Sequence, residues 1–214
     1  MQTRPIETFP NTREKILRAA SVAFALKGFK ATTIKEIATT AELSEITIFR
    51  HFPQKQELYW PAIDWYFRSS MLLYVFRRSL CRDGSPRELL LQVSEDVVQL
   101  FRGDPGLVRL FYFTVLELEA EKHTLYEIHI KPLLIALQTR IRVWMHDGAL
   151  RTGTPSAVAL LIAGGVLTHC QMNNLFGDEL TEGESVGLST ELIDFCLTGL
   201  LNSASDIGIS ELNS

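Results

Sequence analysis

Apolar residues recur at helical spacing in residues 33–58, as two short patterns separated by a three-residue break at 42–44. Thr33 and Glu36 are three residues apart, the spacing of a capping box that begins the first helix. Ser44 is a favourable N-cap for the second. The apolar face of the first helix consists of Ile34, Ile37, Ala38 and Ala41. The pattern predicts a helix-turn-helix.

The second predicted helix has two distinct faces over about eight residues, roughly 12 Å at the α-helical rise. Ile48, Phe49 and Phe52 are predicted to face the core. The opposite face carries Glu45, Thr47, Arg50 and His51. A helix of this length fits the major groove of DNA and presents such side chains to base edges. Two packed helices of an ordinary bundle would show the same pattern, so the flanking segments decide.

Both flanks favour DNA binding. Upstream, Asn11 and Glu14 form another capping box, and the following apolar stripe stops at Lys27 and Gly28, residues typical of a helix C-terminus. Downstream, a further helix begins after Pro53. Its first turn contains Lys55, which is therefore predicted to hold a DNA phosphate.

Residues 12–58 resemble the N-terminal DNA-binding domain of the TetR family of transcriptional regulators, over its full length and without a gap. The segment IFRHFPQKQEL at 48–58 is similar to the family's usual recognition-helix ending. The resemblance implies a three-helix head followed by a larger helical domain. It also implies the positions that usually meet DNA, here Thr33, Ser44, Thr47, Arg50, His51 and Lys55. The predicted DNA-binding set also includes Glu45 and Ile46, at the start of the second helix.

Four residues depart from the family pattern. Glu42 stands where the turn usually has glycine, and a positive φ at this position would cost on the order of 1 kcal/mol. Glu45 and Ile46 replace lysine and glycine, which removes a phosphate partner and adds a side chain suited to a thymine methyl group. Phe49 replaces tyrosine and loses one hydroxyl. These changes concern the operator sequence and the affinity.

Composition agrees with a basic head on an acidic body. The 214 residues are 46% hydrophobic with a net charge of −4. Residues 1–60 carry nine Lys or Arg against six Asp or Glu, a net of +3, and residues 61–214 carry twelve against nineteen, a net of −7. Chance asymmetry of solvated faces is the alternative. The predicted domains are 1–53 for DNA binding, 54–201 for effector binding and dimerisation, and a flexible tail at 202–214.

The body is predicted to be helical throughout, so the fold class is all-α with about nine helices. Turn and cap residues place six helices after the head, at 54–77, 86–101, 106–119, 124–146, 155–176 and 190–201. Pro61 lies inside the first of these and should bend it, either as a hinge between head and body or as a static kink.

The last two helices are predicted to form a homodimer interface, because both are rich in apolar residues. A central core helix is the alternative for 155–176. The segments 147–151 and 191–201 also resemble parts of TetR-family regulatory domains, in which such helices pair as a four-helix interface. The predicted interface residues are Leu160, Ala163, Gly164, Leu167, Leu192, Phe195, Cys196 and Leu200.

A pocket for a moderately apolar effector is implied by the resemblance and agrees with the many aromatic residues of the body. Most of these aromatics are expected in the core. The candidate pocket residues are Trp65, Phe67, Phe111, Phe113, Tyr126, His169 and Asn173.

Other functional classes find little support. His123 and Glu127 share a helical face, but His129 points away, so the three cannot converge on a metal, and no catalytic or cofactor-binding motif is present. Cys81, Cys170 and Cys196 lack paired spacing and indicate reduced thiols, with a redox role as the alternative.

The first residues lack a signal peptide, and the longest uninterrupted apolar run, 157–167, is too short for a bilayer. The sequence therefore predicts a cytoplasmic, non-enzymatic homodimer without cofactor or membrane. It should bind a palindromic double-stranded operator as a repressor relieved by a small molecule. A transcriptional activator and a ligand-independent DNA-organising protein are the alternatives.

Overall fold

The computed structural model describes residues 11–176 and 185–199. In these ranges the chain forms eleven α-helices and one π-helical segment, Tyr126–Ile130, and no β-strand. The α-helices are α1 Thr12–Ala31, α2 Ile34–Ala41, α3 Glu45–His51, α4 Lys55–Ser69, α5 Leu72–Leu80, α6 Pro86–Gly103, α7 Gly106–Glu117, α8 Glu119–Leu125, α9 Lys131–His146, α10 Pro155–Phe176 and α11 Ser185–Thr198.

The all-α prediction is confirmed. The described ranges contain more helices than the nine predicted, because the predicted helices 54–77 and 124–146 are each divided into shorter segments. The rod predicted at 54–77 is interrupted at Met71, whose φ of 57° lies in the left-handed region. Helix α4 continues through Pro61, and a bend there stays a prediction. The last helix begins at Ser185, earlier than predicted, and the predicted tail at 202–214 lies outside the described residues.

The chain divides into two compact units. The first consists of the residues up to Ser70 together with Arg109–Leu125. The second consists of Met71–Val108 and the residues from Tyr126 onward. Helix α7 therefore contributes most of its length to the first unit, which extends well beyond the predicted head.

Aromatic rings from α1 and α4 form the centre of the first unit. The fully buried Tyr59 ring packs edge-on against Phe24 and Phe29, with centroid distances of 4.8 and 5.2 Å. Its hydroxyl lies 2.9 Å from that of Thr114 on α7, so the buried phenol has a hydrogen-bond partner. Burial raises the pKa of Tyr59 to about 12. Helix α7 is thus part of the same core as the head helices.

The second unit is a helical bundle in which α10 and α11 approach closely. A Cβ atom on Gly165 would lie 2.6 Å from a methyl carbon of Leu192, so a larger residue at position 165 would require the Leu192 side chain to move. Arg87 of α6 donates two hydrogen bonds to Asp194 of α11, at 2.7 and 2.8 Å. Cys170 and Cys196 are buried, and burial raises the pKa of Cys170 to about 12, while Cys81 is exposed.

Helix α10 has more apolar surface than the unit buries. Within the described ranges, Pro155–Met172 is the one helical stretch whose length and composition would allow it to cross a membrane, and a third of it is buried. Its exposed apolar residues include Leu160 and Leu161. This exposed apolar surface is available to a second protein surface.

Candidate nucleic-acid interface

The turn between α2 and α3 is built by local capping. Thr33 and Glu36 form the predicted capping box, with the Thr33 hydroxyl accepting from the Glu36 N–H at 3.2 Å. Glu42 has a φ of 56° and follows the helix in the left-handed conformation that glycine favours. The Leu43 N–H then donates to the Ala38 carbonyl at 2.9 Å, which closes the helix end. The turn forms without glycine, at the backbone angle expected from the sequence.

Helix α3 is seven residues long and is fixed at both ends. The Ser44 hydroxyl accepts from the Thr47 N–H at 3.1 Å, as a helix N-cap. Ile48 and Phe52 are 0% and 5% exposed, so they anchor the inner face. Phe49 was predicted to be buried with them, and this was wrong, because it projects about 100° from Ile48 around the helix and is 45% exposed.

The outer face of α3 presents most of the predicted DNA-binding residues together. Ile46 is 75% exposed, which leaves its side chain accessible to an apolar group such as a thymine methyl. Thr47 is half-buried, and its hydroxyl lies 2.9 Å from that of Ser44. The other exposed members of the set are Thr33, Ser44, Glu45, Arg50 and His51. The contact of each with DNA stays a prediction.

Lys55 has an internal role that the sequence did not reveal. Its ammonium donates to the carbonyls of Phe29 and Thr32 at 2.8 and 2.9 Å, and lies 4.4 Å from the centre of the Phe29 ring. These contacts hold α4 against the end of α1, since a cation stabilises the carbonyl end of a helix. Lys55 is half-buried, and its contact with phosphate stays a prediction.

The end of α1 is held from the other side by Glu117 of α7. Gly28 interrupts α1 with φ 76° and ψ 176°, so the N–H groups that follow lose their regular helical partners. The Glu117 carboxylate accepts from the N–H groups of Phe29 and Lys30, at 2.8 and 3.2 Å. A Cβ atom on Gly28 would lie 2.9 Å from both Glu117 Oε1 and Phe113 Cδ1. We call this arrangement of Gly28, Phe29, Lys30 and Glu117 the α1–α7 clasp.

No local signal announces the clasp, because Glu117 lies 88 residues from Phe29 in the sequence. A second contact within the head joins Lys27 of α1 to Glu36 of α2, whose charged atoms lie 2.5 Å apart. The hydrogen bond from Lys27 lowers the pKa of Glu36. Lys30 and Lys35 are exposed nearby and add positive charge that the predicted set omitted.

The predicted effector-pocket residues are dispersed. Trp65, Phe67, Phe111 and Phe113 belong to the first unit, where Phe67 is buried. Tyr126 and His169 belong to the second, with Tyr126 43% exposed and His169 buried. The side chain of Asn173 lies outside the described residues. An apolar cavity does occur in the second unit, with other lining residues, and it is described below.

The predicted dimer residues fall into an outward and an inward set. Leu160 and Phe195 are 63% and 83% exposed, and a Cβ on Gly164 would meet no atom within 4 Å. Cys196 is buried within the unit, Leu192 packs against Gly165, and Ala163 and Leu167 line the apolar cavity. Leu200 lies outside the described residues. Leu161, which is adjacent to Leu160 and outside the predicted set, is 57% exposed.

A capped helix-turn-helix with an exposed polar face, joined to a helical body, defines a helix-turn-helix DNA-binding protein. Residues 16–59 match the model of the family described as bacterial regulatory proteins, tetR family. The match lies within the head, so the chain carries a DNA-binding domain of the TetR type at residues 16–59.

Three known proteins illustrate the relationship. An HTH-type transcriptional regulator of Bacillus subtilis, YvkB, is 53% identical over 47 residues, which span 22% of this chain and a quarter (25%) of that protein. The nucleoid occlusion factor SlmA of Vibrio atlanticus is 26% identical over 144 residues, 67% of this chain and 71% of that protein. The crystal structure of the Bacillus subtilis transcriptional regulator FadR in complex with stearoyl-CoA has a TM-score of 0.71 at 17% identity, covering 86% of this chain and 97% of that one.

Proposed function

We propose that this chain is a cytoplasmic homodimeric repressor that binds a palindromic operator through α3 and releases it when a small apolar molecule binds the second unit. The observation that carries the proposal is the outer face of α3. Ile48 and Phe52 fix the helix from beneath, while Arg50 and His51 remain exposed beside it. Arginine is the side chain best suited to guanine in the major groove.

Dimerisation is supported by the apolar surface of the last two helices. Leu160, Leu161 and Phe195 expose more than half of their side chains. Large exposed apolar residues in one region mark an interaction surface, and a twofold axis is the commonest way to cover one with a second copy. A twofold dimer would present two copies of α3 to successive major grooves, which is why a palindromic operator is expected.

Control by an apolar ligand is supported by the cavity in the second unit, whose lining is almost entirely apolar. The likeness in fold to FadR, whose structure holds stearoyl-CoA, agrees with an effector that buries an apolar part. The ligand must bind the DNA-free state more tightly than the DNA-bound state, because only a difference in affinity shifts the equilibrium.

Selection of bound duplexes from a random DNA pool tests the proposal. The full chain should enrich one palindromic sequence, and Arg50→Ala should lose the preference while retaining salt-dependent binding. Arg142→Ala is the matched control, since it removes an exposed arginine from the second unit. Retained sequence preference in Arg50→Ala would contradict the assigned role of α3.

A ligand-independent DNA-organising protein is the second candidate, favoured by the similarity to SlmA over two thirds of this chain. The two functions differ in their response to the effector. A repressor should leave the selected operator when the effector is added and should silence a reporter gene in a deletion strain. A DNA-organising protein should remain bound and leave reporter expression unchanged.

A further inference from the structure

The second unit contains a cavity of about 120 Å³ between α5, α6, α9 and α10. Its wall is apolar at every position except Ser94. Val97 of α6, Ile130 of the π segment and Ala163 of α10 line it together with Ser94. Apolar cavities of this order remain dry and take up small apolar molecules; one of roughly 150 Å³ binds benzene.

Ser94 is unusual among the buried hydroxyl residues. It is 1% exposed, and its hydroxyl has no hydrogen-bond partner among the described residues. The other buried helical hydroxyls donate to carbonyls three or four residues earlier, at 2.9 Å for Ser21, 3.1 Å for Ser79 and 2.7 Å for Thr114. A buried hydroxyl without a partner is unfavourable, so Ser94 provides a donor that a ligand in the cavity can satisfy.

The cavity wall also includes the end of the π-helical segment. Pro132 has no N–H and cannot continue the α-helical ladder to the carbonyl of Ile128, which accounts for a local change of helical pitch over Tyr126–Ile130. Ile130, the last residue of this segment, lines the cavity. Short π segments within α-helices occur frequently at functional sites.

We propose that the effector of this protein is an uncharged molecule of about six to eight non-hydrogen atoms, with one hydrogen-bond acceptor that binds the Ser94 hydroxyl. This inference rests on the proposed regulatory function and names the ligand class for it. A carbonyl, ester or ether oxygen meets the requirement. A carboxylate does not, because it would lose its hydration in a wall that offers no charged partner among the described residues. Ser94 is therefore the residue that determines specificity.

Calorimetric titration of the full chain without DNA tests the ligand class. Three probes are compared: heptan-2-one, which has one acceptor, toluene, which has none, and heptanoate, which is charged. The wild type should bind the first two and not the third. Ser94→Ala should lower the affinity for heptan-2-one by about three- to tenfold, which corresponds to the loss of one net hydrogen bond. The affinity for toluene should be unchanged.

Two variants control for general damage to the unit. Thr139→Ala removes an exposed hydroxyl from α9 that donates to Ile135, and it should leave all three affinities unchanged. Ala163→Phe should fill the cavity and abolish binding of heptan-2-one and toluene. If Ala163→Phe fails to fold, Val97→Phe can be used instead, because it fills the same cavity from α6.

Heptanoate that binds as tightly as heptan-2-one would overturn the inference that the ligand is uncharged. An unchanged heptan-2-one affinity in Ser94→Ala would overturn the role of that hydroxyl. Because the titration omits DNA, it separates this inference from the regulatory one. A further outcome is that heptan-2-one binds as predicted for Ser94 and yet fails to release the operator DNA. That result supports the ligand class and contradicts the repressor mechanism.

Discussion

Glu42 occupies a backbone conformation that its side chain disfavours. Its φ of 56° places the Cβ atom close to the following carbonyl, at a cost of about 1 kcal/mol relative to glycine. We therefore expect Glu42→Gly to raise the free energy of unfolding by about 1 kcal/mol and the melting temperature by roughly 2–4 °C. Denaturant and thermal unfolding measure both.

Glu45→Gly is the matched control for Glu42→Gly, because Glu45 lies within the regular helix α3. Glycine there should lower the free energy of unfolding by roughly 0.5–1 kcal/mol. Equal effects of the two substitutions would show that backbone conformation at position 42 is not the cause.

His169 should make stability depend on pH. Burial, with a smaller contribution from Arg102, lowers its pKa below the ordinary value of 6.5. Below about pH 6.5 the unfolded chain therefore binds a proton at His169 more readily than the folded chain does. The contribution of His169 to stability is fully present above that pH and is lost as the pH falls towards the folded pKa.

Urea unfolding between pH 5 and 8 measures the effect. The free energy of unfolding of the wild type should fall below about pH 6.5, and that of His169→Gln should fall by less over the same pH interval. His123→Gln, which replaces an exposed histidine, should follow the wild type. If the control and His169→Gln give the same profile, another group is responsible.

Among the elements, α1 depends on a partner far away in the sequence. In the α1–α7 clasp, Glu117→Ala removes the acceptor for two backbone N–H groups and should lower the free energy of unfolding by about 1–3 kcal/mol. Gly28→Ala should lower the free energy of unfolding by at least as much as Glu117→Ala, because φ at position 28 is 76° and the new methyl group would meet Phe113 and Glu117. Chemical denaturation of the full chain provides the measurement.

Glu121→Ala is the control for the clasp, since it removes a glutamate from α8 of the same unit. We expect it to change the free energy of unfolding by less than about 0.5 kcal/mol. A loss as large as that of Glu117→Ala would indicate an effect of net charge and not of the two hydrogen bonds.

Elements with local signals could be predicted from the sequence. The capping boxes at Thr33 and Ser85 and the cap at Ser44 begin helices at the predicted places. The break at Met71 could not be predicted, because methionine carries no preference for a left-handed backbone. The same limit applies to Phe49, since a seven-residue helix contains too few apolar positions to define its buried face.

At the scale of the molecule, the surface of α10 and α11 predicts the oligomeric state. Phe195→Glu should sediment as a monomer at micromolar concentration where the wild type sediments as the proposed dimer, because it places a charge on the exposed apolar surface. Tyr74→Glu, which changes an exposed apolar residue of α5, should leave the dimer intact. A wild-type chain that sediments as a monomer would refute the proposed interface.

The cavity and its lining were beyond prediction from the sequence. Abundant aromatics were the signal followed, but Phe67 lies in the core of the first unit and Phe113 packs at Gly28. The cavity is lined mainly by Leu, Ile and Val from four helices, residues that every helix core contains. Only their arrangement in three dimensions distinguishes a cavity from a filled core.

The clasp has a consequence for protein engineering. An exchange of the head between this chain and a relative would be joined at the predicted boundary after residue 53. A chimera joined there would leave behind Glu117, which accepts hydrogen bonds from Phe29 and Lys30 of the head. A chimera joined after Ser70 would also leave behind Thr114, the hydrogen-bond partner of Tyr59. A head from this chain should therefore be transferred together with Arg109–Leu125, as a discontinuous module.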